Sequence, residues 1–347
     1  MENNRQSAAT PLADSRRAAL RLLIKAFVFL LPFWAAVVLY LHDDPYMSLH
    51  RYRVYDSPVV LNENFVGWGI YCNHRHGPHA FNSFIMGNSC TMAYRCAEWE
   101  RYLPHGAHAM RLFGNAESLA GLDMKLHALE RDHARIDNVL IVLDASSLGD
   151  DRQRDGWEHI LPPEVSGKSN LLTQVQMMRT FILPDFLLPY LKYKLTGQIS
   201  SSAKCMNPYG RIRNPENNDS YNPRERMIAR QGEAYWQGLD AKKLPTRTHR
   251  QVVGPVYIFA PQARKLLDIA ALLKRHHTNY RIVISPDYKQ VAMNPKDRES
   301  LYVIFGRKNV FDFTGVNRFT ADYHDYYEAA HYRPRLGDRV MRAVYRP

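Results

Sequence analysis

A serine stands where an apolar segment of this chain breaks. FNSFIMG ends at Gly87, Asn88 follows, and Ser89 opens SCTMAYRCAEWERYL, in which Met92, Cys96 and Trp99 recur at helical spacing. A hydroxyl at the end of a strand, with the N–H groups of the next turn beside it, is placed to attack a carbonyl and shelter the oxyanion that develops. Such a hydroxyl needs a base. Far along the chain, DYHDYYEAAHYRPRLGD (322–338) sets Glu328 three residues before His331, so that on a turn or first helical turn the two side chains share a face. The carboxylate would fix the imidazole tautomer and stabilise the imidazolium, leaving the other ring nitrogen for the serine. Asp322 and Asp325 are rival acids. Each residue also has an ordinary reading, Ser89 as a helix N-cap and His331 as a structural histidine.

The elements that must position these residues follow an alternating order. FNSFIMG, HAMRLFG (ending at Gly114), NVLIVLD, YRIVISP and VFDFTG read as strands, and SCTMAYRCAEWERYL, AESLAGLDMKLHALERD and LLDIAALLKRHH read as helices. This order predicts an α/β domain, a three-layer α/β/α sandwich with a mostly parallel sheet, built from residues 81–150 and 250–347. Ligands of such sheets bind beyond the carboxyl ends of the strands, which is where Ser89 falls. About 151–250 is a helical insertion. Its 169–195 segment is apolar and broken by Pro184 and Pro189, and reads either as a helical layer packed on the sheet or as a lid or membrane-surface element. Residues 200–230 read as an extended polar loop, and 42–80 as an irregular stem.

At 347 residues and 46% hydrophobic, the chain can bury a full core. Residues 20–41, ending in the uncharged AFVFLLPFWAAVVLYL (26–41), are long and apolar enough to span a bilayer, and Pro32 kinks such a helix without forbidding it. No small-residue cleavage site follows, and Trp34 and Tyr40 between polar flanks favour a spanning anchor over a buried helix. Arg5, Arg16, Arg17, Arg21 and Lys25 face only Glu2 and Asp14, so a tail of residues 1–19 is expected in the cytoplasm and the main domain outside it. There, Cys72, Cys90, Cys96 and Cys205 could pair in three ways or remain small buried thiols.

The formal charge of +12 suits an anionic neighbourhood such as lipid headgroups or a charged envelope polymer, and no nucleic-acid motif accompanies it. Cys72, His74, His76 and His79, followed by His105 and His108, are dense in ligand-type residues. They lack the paired spacing of a zinc site and read as a solvated stem, so neither metal nor cofactor is expected. Asn218-Asp219-Ser220 matches a glycosylation sequon.

GNS after the first strand, Gly114 after the second and an acid-x-x-His element near the end together resemble the SGNH (GDSL-type) hydrolase and acyltransferase superfamily. The anchored topology and YYEAAHYRPRLGD resemble its membrane-tethered, DltD-like or AlgX/AlgJ-like extracytoplasmic branch. The resemblance covers about 81–150 and 280–340, leaving the stem and insertion outside. It implies Ser89 as nucleophile, His331 as base, Glu328 (or Asp325) as orienting acid, and the backbone N–H groups of Ser89 and Gly114 as oxyanion donors. The superfamily's third block carries an asparagine, whereas VLIVLDASSLGD offers Asp144. The missing donor is then absent or supplied by Asn88 or Asn115. The implied activity is a serine esterase or O-acyltransferase acting on an acylated glycan, envelope polymer or lipid, beside an integral-membrane acyl donor protein. An inactive binding or scaffolding protein of an envelope complex is the alternative.

Overall fold

The computed structural model describes residues 11–199, 203–207, 212–247 and 250–346. Glu2 and Arg5 of the basic tail, and parts of the polar loop after residue 199, lie outside the described residues. Helix α1 (Pro11–Asp43) runs without a break through Pro32, and its Ala18–Asp43 portion is long and apolar enough to cross a membrane.

The expected irregular stem instead contains a buried helix, α2 (Glu63–His74). Asn62 caps it by accepting the Asn64 N–H, and Val66, Trp68, Ile70 and Tyr71 enter the main core. Gly69 lets Tyr55 pack against the helix, since a Cβ there would lie 1.9 Å from the phenol oxygen. Glycine and polar residues within NENFVGWGIYCNH obscure the helical period.

The sheet contains β1 (Ser83–Gly87), β2 (Ala109–Phe113), β3 (Asn138–Leu143), β4 (Asn279–Ile284) and β5 (Val310–Asp312) in the order β2-β1-β3-β4-β5, each neighbour parallel to the next. Alternate residues of the inner strands serve two separate cores. Phe84, Met86, Val139 and Ile141 join α2 and the helices α3 (Leu119–Arg131), α7 (Ala260–Arg275) and α8 (Pro295–Phe305). Ile85, Leu140 and Val142 join Trp99 and the C-terminal helix α9 (Pro334–Tyr345). A strand buried on both sides has no polar alternation, which explains the continuous apolar runs. The chain leaves β1 for β2 on one side and then crosses to β3 on the other. The carboxyl end of β1 therefore faces the point where strand order reverses.

The 169–195 segment of the insertion does not layer on the sheet. Its α4 (Asn170–Phe181) and α5 (Pro184–Thr196) bury Met177, Phe181, Phe186 and Tyr190 in a third cluster with Tyr40 of α1 and Phe65 of α2. Pro184 starts α5 as expected, whereas Pro189 sits inside it. The missing proline N–H frees the Asp185 carbonyl, which accepts from the Cys205 thiol at 3.5 Å. A later helix, α6 (Arg224–Gln231), carries the insertion toward the site.

All four cysteines are free, with Cys90, Cys96 and Cys205 buried and Cys72 partly so. Thiol titration without reductant should therefore count four groups in denaturant and at most a slow one, Cys72, in the folded protein. A count of two or none in denaturant would show pairing. Among the described residues, no three His, Cys, Asp or Glu side chains converge as a metal site would require. His74 instead meets Glu216 at 3.2 Å, and the His79 and His108 rings pack edge to face.

Candidate active site

The position of Ser89 begins with a glycine. Gly87 has φ +132°, and a Cβ there would lie 1.9 Å from the Val142 carbonyl oxygen, so only glycine lets β1 turn this close to β3. Asn88 then locks the turn. Its Oδ1 accepts the Cys90 N–H at 3.0 Å, while its Nδ2 donates to Asp144 Oδ2 at 2.5 Å and to Ser147 Oγ at 3.2 Å. Asp144 in turn accepts the Ser147 N–H, so the loops after β1 and β3 are tied together. Ser89 follows as the first residue of a short 3-10 helix, Ser89–Ala93, and the expected single helix breaks at Tyr94 before Cys96–Glu100. The break is set by packing. Tyr94 is buried with its hydroxyl bonded to Tyr332, and Gly337 of α9 lies against the Ala93 carbonyl.

His331 and Glu328 lie on a hairpin, not a helical turn. Strand β6 (Tyr326–Glu328) pairs antiparallel with β7 (His331–Tyr332), placing Glu328 directly opposite His331 across the two alanines. The buried Tyr326, Tyr327 and Tyr332 favour this extended form over the helix that the three-residue spacing also permits. His331 Nε2 lies 2.8 Å from Ser89 Oγ, and His331 Nδ1 lies 2.5 Å from Glu328 Oε1. The other Glu328 oxygen accepts the Ala330 N–H at 2.7 Å, and Arg224 Nη1 approaches Oε1 at 3.2 Å.

Burial alone would raise the Glu328 carboxyl. The hydrogen bond and charge of His331, the Ala330 N–H and the Arg224 guanidinium outweigh it and hold the group below the usual carboxylate range. An ionised carboxylate only accepts, so His331 Nδ1 carries the proton and Nε2 is left to accept from the serine hydroxyl. The stabilisation is present above the carboxyl's unfolded value and is lost as pH falls through the lower folded one.

The rival acids are engaged elsewhere. Asp325 is buried and paired with Arg335 at 2.7 Å and Arg339 at 2.6 Å, and Asp322 accepts from His324 and Arg335. Cys90, beside the serine, is no rival nucleophile. Burial, reinforced by Asp144, pushes its thiol well up and keeps it protonated.

The expected oxyanion donors fare unevenly. The Gly114 N–H is bonded to the Gly87 carbonyl at 3.1 Å as part of the sheet edge, and so is not free. The Asn88 amide is held by Asp144 and Ser147. Asn115 lines a separate small hollow with Asn64 and Glu117, away from Ser89. Among the described residues, no acceptor is placed on the Ser89 N–H, which leaves it as the available donor.

Ser89 and His331 open into a cavity of about 920 Å³, far larger than a water site. One wall comes from the polar loop, including Asn207, Asp219, Tyr221 and Arg224. Two short strands, Ile212–Arg213 and Ser220–Tyr221, order it. Buried Arg111 on β2 anchors it through the Asn218 carbonyl at 2.8 Å and Asp219 at 3.3 Å. The sequon asparagine, Asn218, is itself buried and donates to the Arg111 carbonyl, so the motif has a structural role. Arg224, the further group on the acid, was missed from sequence because 104 residues separate it from Glu328 and no local pattern marks it.

The insertion also backs the hairpin. Trp236 and Tyr235 donate to the Tyr326 and Tyr327 carbonyls, and the Tyr332 hydroxyl meets Ser285 and Tyr94 over the serine segment. Neither the models of known protein families nor the curated proteins yield a match to this chain.

Proposed function

We propose that this protein is a membrane-anchored serine esterase or O-acyltransferase of the SGNH type. The observation that carries the reading is the Ser89–His331–Glu328 relay opening into a cavity large enough for a substrate. Ser89 Oγ attacks an acyl carbonyl as His331 Nε2 takes the hydroxyl proton. The C–O bond of the donor ester breaks, and the same nitrogen returns the proton to the departing alkoxide. Water or a sugar hydroxyl then takes the acyl group. The two cores served by alternate strand residues support a three-layer α/β/α sandwich, and Ser89 at the strand-order reversal supports an SGNH-like site. The basic residues at the N-terminal end of the apolar stretch support a cytoplasmic N-terminus, with the cavity facing an acylated glycan, envelope polymer or lipid outside the cell. An integral-membrane acyl donor is the partner this arrangement calls for.

A second reading rests on the donor count. With Gly114 and Asn88 both engaged, a catalytically silent SGNH-like scaffold of an envelope complex is the competing function. A fluorophosphonate probe separates the two, because it traps only a serine activated by its base. Labelling of the intact protein at Ser89 supports the enzyme. A folded protein that resists both the probe and small acetyl esters supports the scaffold.

The acid assignment makes its own prediction. Glu328→Gln should slow labelling and ester turnover by roughly 10²–10⁴-fold, because the amide can donate to Nδ1 and favour the wrong tautomer. Asp325→Asn should instead destabilise the fold by about 2–4 kcal/mol, since it leaves Arg339 without its carboxylate and Arg335 with Asp322 alone. It should leave labelling per folded molecule within a few-fold of the parent. Rates measured beside thermal melts distinguish the two acids, and the opposite pattern would make Asp325 the working one.

A further inference from the structure

The insertion helices α4 and α5 are apolar on two faces. One face is buried with Tyr40 in the third cluster. On the other, Leu171, Leu172 and Val175 of α4 and Leu188 and Leu195 of α5 stand 46–85% exposed. Leu188 and Leu195 are seven residues apart, with the half-buried Leu191 between them, which puts them on one stripe of α5. Two helices with an uncovered apolar stripe mark a surface meant for a partner.

The position of the stripe names that partner. Both helices grip the end of α1 just where its apolar stretch finishes at Leu41. Tyr40 donates to Gln174 at 2.7 Å, and its ring packs at a tilt against Phe181 with centroids 5.5 Å apart. Asp43 accepts from Tyr190 at 2.8 Å and pairs with Lys194 at 3.1 Å. Leu195 directly follows Lys194, Leu188 is two residues before Tyr190, and Leu171 and Leu172 stand within one turn of Gln174, so the exposed leucines flank the contacts that hold the end of α1. Residues 168–196 also hold four basic residues, Lys168, Arg179, Lys192 and Lys194, against the single acid Asp185. Leucines on one side with flanking lysines and arginine is the composition of a helix lying in the headgroup boundary of an anionic bilayer.

We propose that α4 and α5 form an in-plane membrane platform, a second lipid contact that seats the domain on the bilayer surface beside its anchor. The platform also bears on the cavity. Cys205 and Met206 belong to the platform cluster, and the next residue, Asn207, lines the cavity wall. The cavity is thereby held at a fixed height above the lipid. The proposal rests on α1 spanning the bilayer and is independent of whether Ser89 is catalytic.

The test places a photoreactive benzophenone amino acid at Leu188 or Leu195 of the full chain in its own membranes, with Val303 of α8, 77% exposed, as the comparison site. Illumination should give phospholipid adducts, identified by mass, at 188 and 195 and not at 303. Adducts with another protein, with a second copy of this chain, at 303 equally, or with nothing would each overturn the platform. Alkaline carbonate extraction of the same membranes checks the anchor. A chain that washes out fails at α1, whereas one that stays without lipid adducts fails at the platform alone.

Discussion

Ser89→Ala should abolish fluorophosphonate labelling and reduce ester turnover by at least roughly 10⁴-fold, and His331→Ala should do nearly the same. The losses should not add in the double variant, because a base without its nucleophile and a nucleophile without its base are each close to inert. Stability should barely change in Ser89→Ala. The side chain is only half-buried, and the cap of the turn comes from Asn88. Retained turnover in Ser89→Ala, with an unchanged melting curve, would assign the activity to another group and remove the relay from the mechanism.

The second large effect is expected one turn earlier. Gly87→Ala forces a Cβ into the Val142 carbonyl oxygen and asks an L-residue to hold φ +132°, so either β1 moves away from β3 or the turn changes hand. We expect a destabilisation of about 3–5 kcal/mol and, in whatever folds, loss of the Ser89–His331 contact. Thermal unfolding in detergent should show the midpoint falling by roughly 4–8 °C. Gly77→Ala is the control, since its φ is also positive but nothing lies within 4 Å of the added carbon. Equal, small shifts in both would mean that the contact with Val142 does not constrain the turn.

The strands and long helices of the sheet domain were readable because each is set by local pattern. NVLIVLD is continuously apolar because β3 is buried on both sides, and LLDIAALLKRHH is periodic because α7 buries one side only. The pairing of Ser89, Glu328 and His331 was also readable, because a hydroxyl at a strand end calls for a base and EAAH supplies a histidine with an acid three residues away, although each residue also has an ordinary structural reading. The form of the acid–base element was not. Three-residue spacing suits a helical turn and a tight hairpin alike, and the buried tyrosines on the hairpin's inner side decide between them only once the core exists. The donors failed for a related reason. Whether the Gly114 N–H is free depends on a hydrogen bond to Gly87, 27 positions away, which no local pattern records. The helix within 63–74 and the wall built from the polar loop were hidden because their partners, Tyr55 and Arg111, are tertiary neighbours.

The distance along the chain between nucleophile and base has a consequence for biogenesis. Ser89 and His331 are 242 residues apart. A chain made from its N-terminus presents the serine, its capping asparagine and the first three strands long before the hairpin is made. During that interval the Ser89 hydroxyl has no imidazole beside it. On the proposed reading, the serine gains its base only when the hairpin closes beside the sheet.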